Sequence, residues 1–296
     1  MSPHPSVVAV LVAAGIDPGE VERIVRTALE EDLRYGPDVT TAATVRPGAH
    51  ATADVVAHAP GVVAGLPVAL AVLDAAGLPV AGLEIVVADG STVQPGDIVA
   101  TIRAPLAGLL STERTFLNLL THLSGIATAT RRWVDAVAGT GCVVRDTRKT
   151  LPGLRDIEKY AVRCGGGANH RMGLGDAALI KDNHVIAAGG IIAAIKAVRA
   201  AAPGLAMEVE CDTLAQVGDA LAAGADLILL DNMGRRDLRA AVSAGQAYPG
   251  VRFEASGGLR LDQVGDVAAT GVHFVAVGAL THSSPALDLG LDVREP

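Results

Sequence analysis

The sequence predicts an α/β protein in which a small antiparallel β region precedes a parallel sheet, closed or nearly closed into a barrel. Three observations carry that reading. Residues 50–108 hold short β-branched runs cut by Gly and Pro. Six short apolar runs then alternate with Ala-rich helical segments. Their starts lie 36, 28, 21, 24 and 21 residues apart, the spacing that a strand and its returning helix need. Polar residues or Gly close most of these runs, and α/β-barrel sites lie at the carboxyl ends of strands. A Rossmann sheet competes, but no GxGxxG follows a strand near the required place.

Taken in order, the apolar run Val7–Ile16 is short for a membrane span and has no Lys or Arg ahead of it. It reads as a buried helix or strand, not a signal peptide. Asp17-Pro18-Gly19-Glu20 reads as a helix start, with Asp17 as cap, Pro18 in the first turn and Glu20 completing a capping box. Val21, Ile24, Val25, Ala28, Leu29 and Leu33 then mark one apolar face. Candidate antiparallel strands are Ala53–Ala57, Val62–Ala64, Ile85–Ala88 and Ile98–Ile102, with a helix near Val68–Ala76. Ser111 to about Gly139 is the longest helical stretch, and Gly125 is a point where it can bend or divide. The parallel strands expected are Cys142–Arg145, Ala178–Lys181, Ala206–Glu210, Leu227–Leu230, Val251–Glu254 and Val272–Val277.

Composition narrows the function. The 296 residues are half apolar and only 2% aromatic, with net charge −8. Bulk disorder is excluded, and wholesale nucleic-acid binding lacks its cationic footprint. Cys142, Cys164 and Cys211 form no CxxC pair and no disulfide framework, so a reducing cytosol is expected. Yet residues 145–184 hold eight Lys and Arg against five Asp and Glu, a net +3, while the remainder is −11. With Tyr160 as the lone aromatic there, base stacking is poorly served. Small anions fit better, because Arg grips carboxylate or phosphate bidentately and Lys supplies a mobile point charge.

Arg148 and Lys149 directly follow a strand and can enter the barrel mouth; the alternative is an Arg–Asp network that fixes the loop. Gly165-Gly166-Gly167 leads into Asn169-His170-Arg171, either an anion-binding approach or an ordinary loop. Lys181 ends an apolar strand and needs an anionic ligand or partner, Asp182 being the obvious one. Glu208 and Glu210 share one strand face. They repel unless a metal, a cation or a substrate hydroxyl compensates. Asp231 adds a third carboxylate one strand later. This oxygen-rich set favours Mg²⁺ if a metal binds, and no Cys/His set has zinc spacing. Gly257-Gly258 and Gly278 can expose backbone N–H groups to phosphate, or simply make tight turns.

These residues resemble an ordered family signature. Asp146-Thr147-Arg148-Lys149-Thr150, Pro152-Gly153-Leu154-Arg155, Gly166-Gly167 with Asn169-His170-Arg171, and Ile180-Lys181-Asp182-Asn183-His184 are similar to quinolinate phosphoribosyltransferases, also called carboxylating nicotinate-nucleotide pyrophosphorylases. So are Glu208-Val209-Glu210, Leu230-Asp231-Asn232-Met233, Glu254-Ala255-Ser256-Gly257-Gly258 and Leu280-Thr281-His282-Ser283. The similarity runs from Glu31-Asp32-Leu33 almost to the C-terminus.

The resemblance implies an N-terminal α/β sandwich-like domain (residues 1–115), an open α/β barrel (116–281), and a C-terminal segment (282–296) that packs back on the first domain. It implies a homodimer in which Arg114 is lent across the interface. Quinolinate would meet Arg114, Arg148, Lys149, His170, Arg171 and Lys181. Glu210 and Asp231 would sit by the phosphoribosyl group and Mg²⁺, and Ser256, Gly257, Gly258 and Gly278 by the 5′-phosphate. Lys149, Glu210 and Asp231 are the implied catalytic residues. The implied reaction joins quinolinate to 5-phosphoribosyl 1-pyrophosphate (PRPP) with loss of CO₂, in the cytoplasm, with no nucleic acid or membrane involved. The alternatives are a phosphoribosyltransferase for another pyridine acid or nucleobase, and a non-catalytic anion-binding paralogue. Leu151, Cys211, His273, Val275 and Ala276 depart from the family pattern.

Overall fold

The structure, a computed structural model, describes residues 3–294. These fall into two compact units. The first takes in the described residues up to Arg131, Thr150–Gly166, and those from Leu280 onward; the second is Arg132–Lys149 with Gly167–Ala279.

In the first unit, the early apolar run forms the helix Pro5–Ala13, which buries Val7 and Leu11. The next helix, Pro18–Leu33, starts where Asp17 accepts from the Gly19 amide at 2.8 Å. The expected capping box is only half made, because Glu20 is turned toward Arg23, 2.7 Å away. Val21, Ile24 and Val25 are buried, whereas Leu33 at the end of the face is exposed.

The antiparallel sheet runs Leu289–Val293, His50–Ala57, Ile98–Pro105, Leu83–Ile85. Its third sequence-predicted strand lies earlier than Ile85–Ala88. The amides of Val86 and Val87 both point to the Val99 carbonyl, a bulge that ends the ladder there. Gly61–Val62 pairs separately with Thr92–Val93.

The longest helix, Leu106–Ala136, runs through Gly125 unbroken. Gly125 is there for space: a Cβ would meet the Pro285 carbonyl oxygen at 2.2 Å and Ala286 Cα at 2.9 Å. Both neighbours are backbone, so neither can swing away. Gly125→Ala is therefore expected to destabilise the protein by about 1–3 kcal/mol, read as a lower thermal midpoint. An unchanged midpoint would show that the 285–286 segment yields freely.

The helix Arg155–Cys164 lies between two barrel strands in sequence but belongs to the first unit. Its Tyr160 hydroxyl donates to Asp89 at 2.6 Å, and Arg163 donates to the Ala14 carbonyl at 2.9 Å. Buried Glu158 meets His122 Nε2 at 2.9 Å and accepts from the Leu151 amide at 3.0 Å. This detour accounts for the long first period of 36 residues.

The second unit carries a parallel sheet in the order Val143–Arg145, Phe274–Ala276, Arg252–Ser256, Leu227–Asp231, Met207–Cys211, Ala178–Ile180. All six expected strands are present, each within a few residues of its predicted bounds. The first strand pairs with the last, as barrel winding requires. Among the described residues the ring does not close, since Val143–Arg145 and Ala178–Ile180 are its two edges. An isolated parallel bridge, Arg145 with Ala168, lies at the first edge. The wall is packed by Val144, Val209, Ile228, Leu230 and Val275. The three cysteines are free. No single helix among the described residues is long and apolar enough to cross a membrane.

Candidate active site

The carboxyl ends of the parallel strands surround a cleft of about 560 Å³. Arg148, Lys149, His170, Arg171, Lys181, Glu210, Asp231, Ser256, Gly257 and Gly258 all line it. A larger groove of about 800 Å³ lies in the first unit. Its walls pair apolar Leu11, Val21, Val25 and Leu29 with Glu22, Glu30, Asp32 and Asp74 against Arg26, a net negative setting that repels anions. The smaller cleft is the one with converging cations.

Each side of the cleft has a local cause. Fully buried Asp146 accepts from the His170 amide at 2.8 Å and the Asn169 side chain at 2.5 Å. It thereby fastens the 168–171 segment beside the edge strand. Beyond Arg171 the chain turns on Asp176, which accepts from the Met172 and Gly173 amides at 2.6 and 2.8 Å. Those bonds hold the Asp176 carboxyl below its ordinary range although burial opposes them.

The basic side is short of counter-charge. Arg148 Nε is buried with no hydrogen-bond partner. Arg171 spends one donor on the Ala177 carbonyl, 3.0 Å away. Burial, and then the neighbouring Arg148 guanidinium, lower its pKa. Two guanidiniums that repel one another in a cleft are a demand for an anion. Lys181 does have a protein partner, which is Glu210 at 2.5 Å and not the expected Asp182. Asp182 instead begins the helix that follows and accepts from the Asn183 amide.

The opposite side is acidic and tightly turned. Asn232 carries a positive φ of 53°, the only non-glycine to do so among the described residues. Its side-chain amide donates to Asp231 at 2.6 Å and its backbone amide to the Ser256 carbonyl at 3.0 Å. Gly257, at φ +87°, lies so close that a Cβ would meet Asn232 Oδ1 at 2.3 Å and its backbone nitrogen at 2.8 Å. Gly278 is not on the cleft wall; a Cβ there would press on Lys149 Cδ at 2.8 Å. Its place in the fold is to let the Lys149 side chain pass.

Glu208 and Glu210 part company below the rim. Glu210 pairs with Lys181, whereas Glu208 is buried and meets His170 Nε2 at 2.7 Å. Glu254 joins it from the neighbouring part of the sheet, 3.5 Å from the same nitrogen and 2.7 Å from Arg145 Nη1. Desolvation pushes both Glu208 and Glu254 up to about 7, with Arg145 opposing the rise. One oxygen of each carboxyl is buried without a partner.

The donor atoms of His170, Glu208 and Glu254 lie within 4.8 Å of one another, so this cluster could hold a divalent cation. One imidazole and two dry carboxyls suit a transition metal better than Mg²⁺, which keeps waters and prefers oxygen ligands.

Arg114 stands apart from the cleft lining. It is an exposed residue of the Leu106–Ala136 helix, with Glu113 as its nearest acid at 4.0 Å. Conversely, sequence reasoning passed over Arg145 and Glu254 as a pair. The available signal was a charge of opposite sign inside each of two apolar strands that flank Phe274–Ala276 on either side.

The C-terminal domain of quinolinate phosphoribosyl transferase matches residues 126–292, and the N-terminal domain of that family matches residues 38–124. The chain therefore belongs to the quinolinate phosphoribosyl transferase family. It is 54% identical over 280 residues to a carboxylating nicotinate-nucleotide pyrophosphorylase of Mycobacterium leprae, covering 91% of this chain and 95% of the relative. It is 39% identical to the protein of that name in Homo sapiens, covering 93% and 92%. Among solved structures, the nicotinate-nucleotide pyrophosphorylase of Francisella tularensis superposes with a TM-score of 0.86 at 34% identity, covering 93% of this chain and 96% of the other.

Proposed function

We propose that this protein transfers the phosphoribosyl group of PRPP to the ring nitrogen of quinolinate and releases pyrophosphate and CO₂, giving nicotinate mononucleotide. One observation carries the choice of a dicarboxylate: Arg148 and Arg171 face the cleft as adjacent guanidiniums, and Arg148 Nε is buried without a partner. A ring with two adjacent carboxylates supplies both charges that this pair lacks. A monocarboxylate or a neutral nucleobase would leave a half-buried cation uncompensated.

In this reading Arg148, Arg171 and Lys181 hold the ring, with Lys149 beside them. Arg114 completes the cage from the partner subunit of a homodimer, and residues 1–115 cover the partner's barrel. The ring nitrogen is thereby held near the anomeric carbon, which lowers the barrier by orientation. Glu210 and Asp231 oppose the positive charge that develops as pyrophosphate leaves. The same two carboxylates would hold Mg²⁺, which when bound supplies neutralising charge to the pyrophosphate oxygens. Once alkylated, the ring nitrogen is cationic and stabilises the C2 carbanion left when CO₂ departs, and that carbanion takes up one proton from solvent to give the C2–H of the product. No covalent enzyme nucleophile is required.

The 5′-phosphate is expected on the Ser256-Gly257-Gly258 turn. Gly257→Ala sets a Cβ against Asn232 at a positive φ, a strain of about 1–3 kcal/mol. It is expected to raise KM for PRPP by roughly tenfold or more, with KM for quinolinate little changed. Equal rises for both substrates would place the phosphate elsewhere.

The deciding assay follows pyrophosphate and CO₂ released from PRPP with and without quinolinate, in Mg²⁺ and in chelator. Release that requires both quinolinate and Mg²⁺ is expected. Tight binding of both substrates with no turnover would instead favour a non-catalytic paralogue.

A further inference from the structure

The imidazole of His170 lies on the cleft wall, yet its two nitrogens are already engaged inside the protein. Nδ1 accepts from the Arg171 backbone amide at 2.7 Å. A nitrogen that accepts an N–H carries no hydrogen, so the ring's hydrogen is on Nε2. Nε2 in turn points to Glu208 at 2.7 Å, with Glu254 at 3.5 Å. The residue is buried, and its own backbone amide is tied to Asp146. Every polar atom of the ring is thus committed before any ligand arrives.

We infer that His170 is a positioning residue: it makes no hydrogen bond to the pyridine dicarboxylate and acts on it through Arg171. This deepens the proposed function and rests on it. Asp146, Glu208 and the ring form a continuous brace from the buried acids to the Arg171 amide. The Ala177 carbonyl fixes the guanidinium end of the same residue. Arg171 is held at both ends, and the lower of the two holds is His170. The pattern matches the rule that groups behind a binding residue set its orientation.

The test has two parts. In protein labelled with ¹⁵N in its histidine rings, the two-bond coupling pattern of His170 is expected to be that of the Nε2–H tautomer. The signal is assigned by its loss in His170→Asn. Its Nδ1 shift is expected to stay in the hydrogen-bond-acceptor range when quinolinate is added. An Nδ1–H tautomer, or an Nδ1 signal that changes character with quinolinate, would overturn the inference in the wild-type protein alone.

The second part is a double-mutant cycle on quinolinate binding, measured by calorimetry. His170→Ala is expected to weaken binding about tenfold in the wild-type background. In an Arg171→Ala background it should change binding by less than about twofold, because the group it acts through is gone. His170→Asn, which retains an acceptor oxygen near the Nδ1 position, is expected to recover most of the loss. Equal costs in both backgrounds would mean direct contact and overturn the inference. Wild-type protein that fails to bind quinolinate would overturn the functional reading instead, with the tautomer result unaffected.

Discussion

Arg148→Ala is expected to lower kcat/KM for quinolinate by about 30- to 1,000-fold, most of it as a rise in KM. The magnitude follows from the chemistry of the contact. Removing one member of a desolvated, hydrogen-bonded charge pair costs about 2–4 kcal/mol, and each 1.4 kcal/mol is a factor of ten. KM for PRPP should move little, because Asp231, Ser256 and Gly257 follow other strands of the sheet, separated from Val143–Arg145 by Phe274–Ala276. A second consequence runs against intuition. The free protein should lose no stability and can gain some, because Arg148 is a like-charge neighbour that depresses Arg171 and its buried Nε has no partner. Arg148→Lys should restore only part of the activity, since an ammonium keeps the charge but not the planar fork. Steady-state kinetics beside thermal unfolding decides it. Unchanged quinolinate kinetics, or a loss of activity that follows a loss of fold, would remove Arg148 from the binding role.

That expectation draws on a part of the site that was legible in the sequence. Arg148, Lys181, Glu210, Asp231 and Gly257 stand at or just after predicted strands, and strand ends converge in a parallel α/β sheet. Period and punctuation place such residues without any knowledge of long-range contacts. Pairing is another matter. Lys181 was expected to meet its sequence neighbour Asp182, but it meets Glu210, 29 residues away, because adjacent parallel strands bring their ends together. Glu208 and Glu210 share a strand face, yet one is sealed and the other reaches the rim. The depth of a residue in a barrel depends on the shear between strands, which no local pattern encodes. Gly125 marks in the sequence a point where a helix can bend or divide, whereas its cause is the backbone at residues 285–286. The helix Arg155–Cys164 falls between two barrel strands in sequence, whereas its own contacts place it with the first unit. In each case a local signal was read correctly as unusual, and its explanation lay in a distant segment.

The buried acids predict an unusual dependence of stability on pH. Glu208 and Glu254 face the same His170 nitrogen with donor atoms within 4.8 Å of one another, and each is pushed up to about 7 by burial. Two carboxyls sealed from water this close together resist ionising at once, so near neutrality the pair holds a proton that the unfolded chain, with carboxyls near 4.5, has released. The folded pKa is raised, so the pair's contribution is fully present below pH 4.5 and is lost as pH rises through 7. A shift from 4.5 to about 7 on a single shared proton amounts to roughly 3 kcal/mol. Asp89, also raised by burial, acts in the same direction. Asp54 and Asp176 are lowered, so their contribution is present above the unfolded carboxylate range and disappears only as the solution becomes more acidic than about pH 4. His273, lowered by burial and by Arg252, opposes the trend by losing its contribution as pH falls below the ordinary histidine range. The net expectation is a stability maximum near pH 5 and a decline of a few kcal/mol toward pH 8, measured by urea unfolding at half-unit intervals. Glu254→Gln removes one charge while an amide oxygen can still face Arg145, so the decline between pH 5 and 8 should flatten in that variant. A wild-type profile that is level over this range, or a Glu254→Gln profile that keeps the wild-type slope, would mean that the pair ionises freely and that Arg145 with His170 suffices to hold two buried carboxylates.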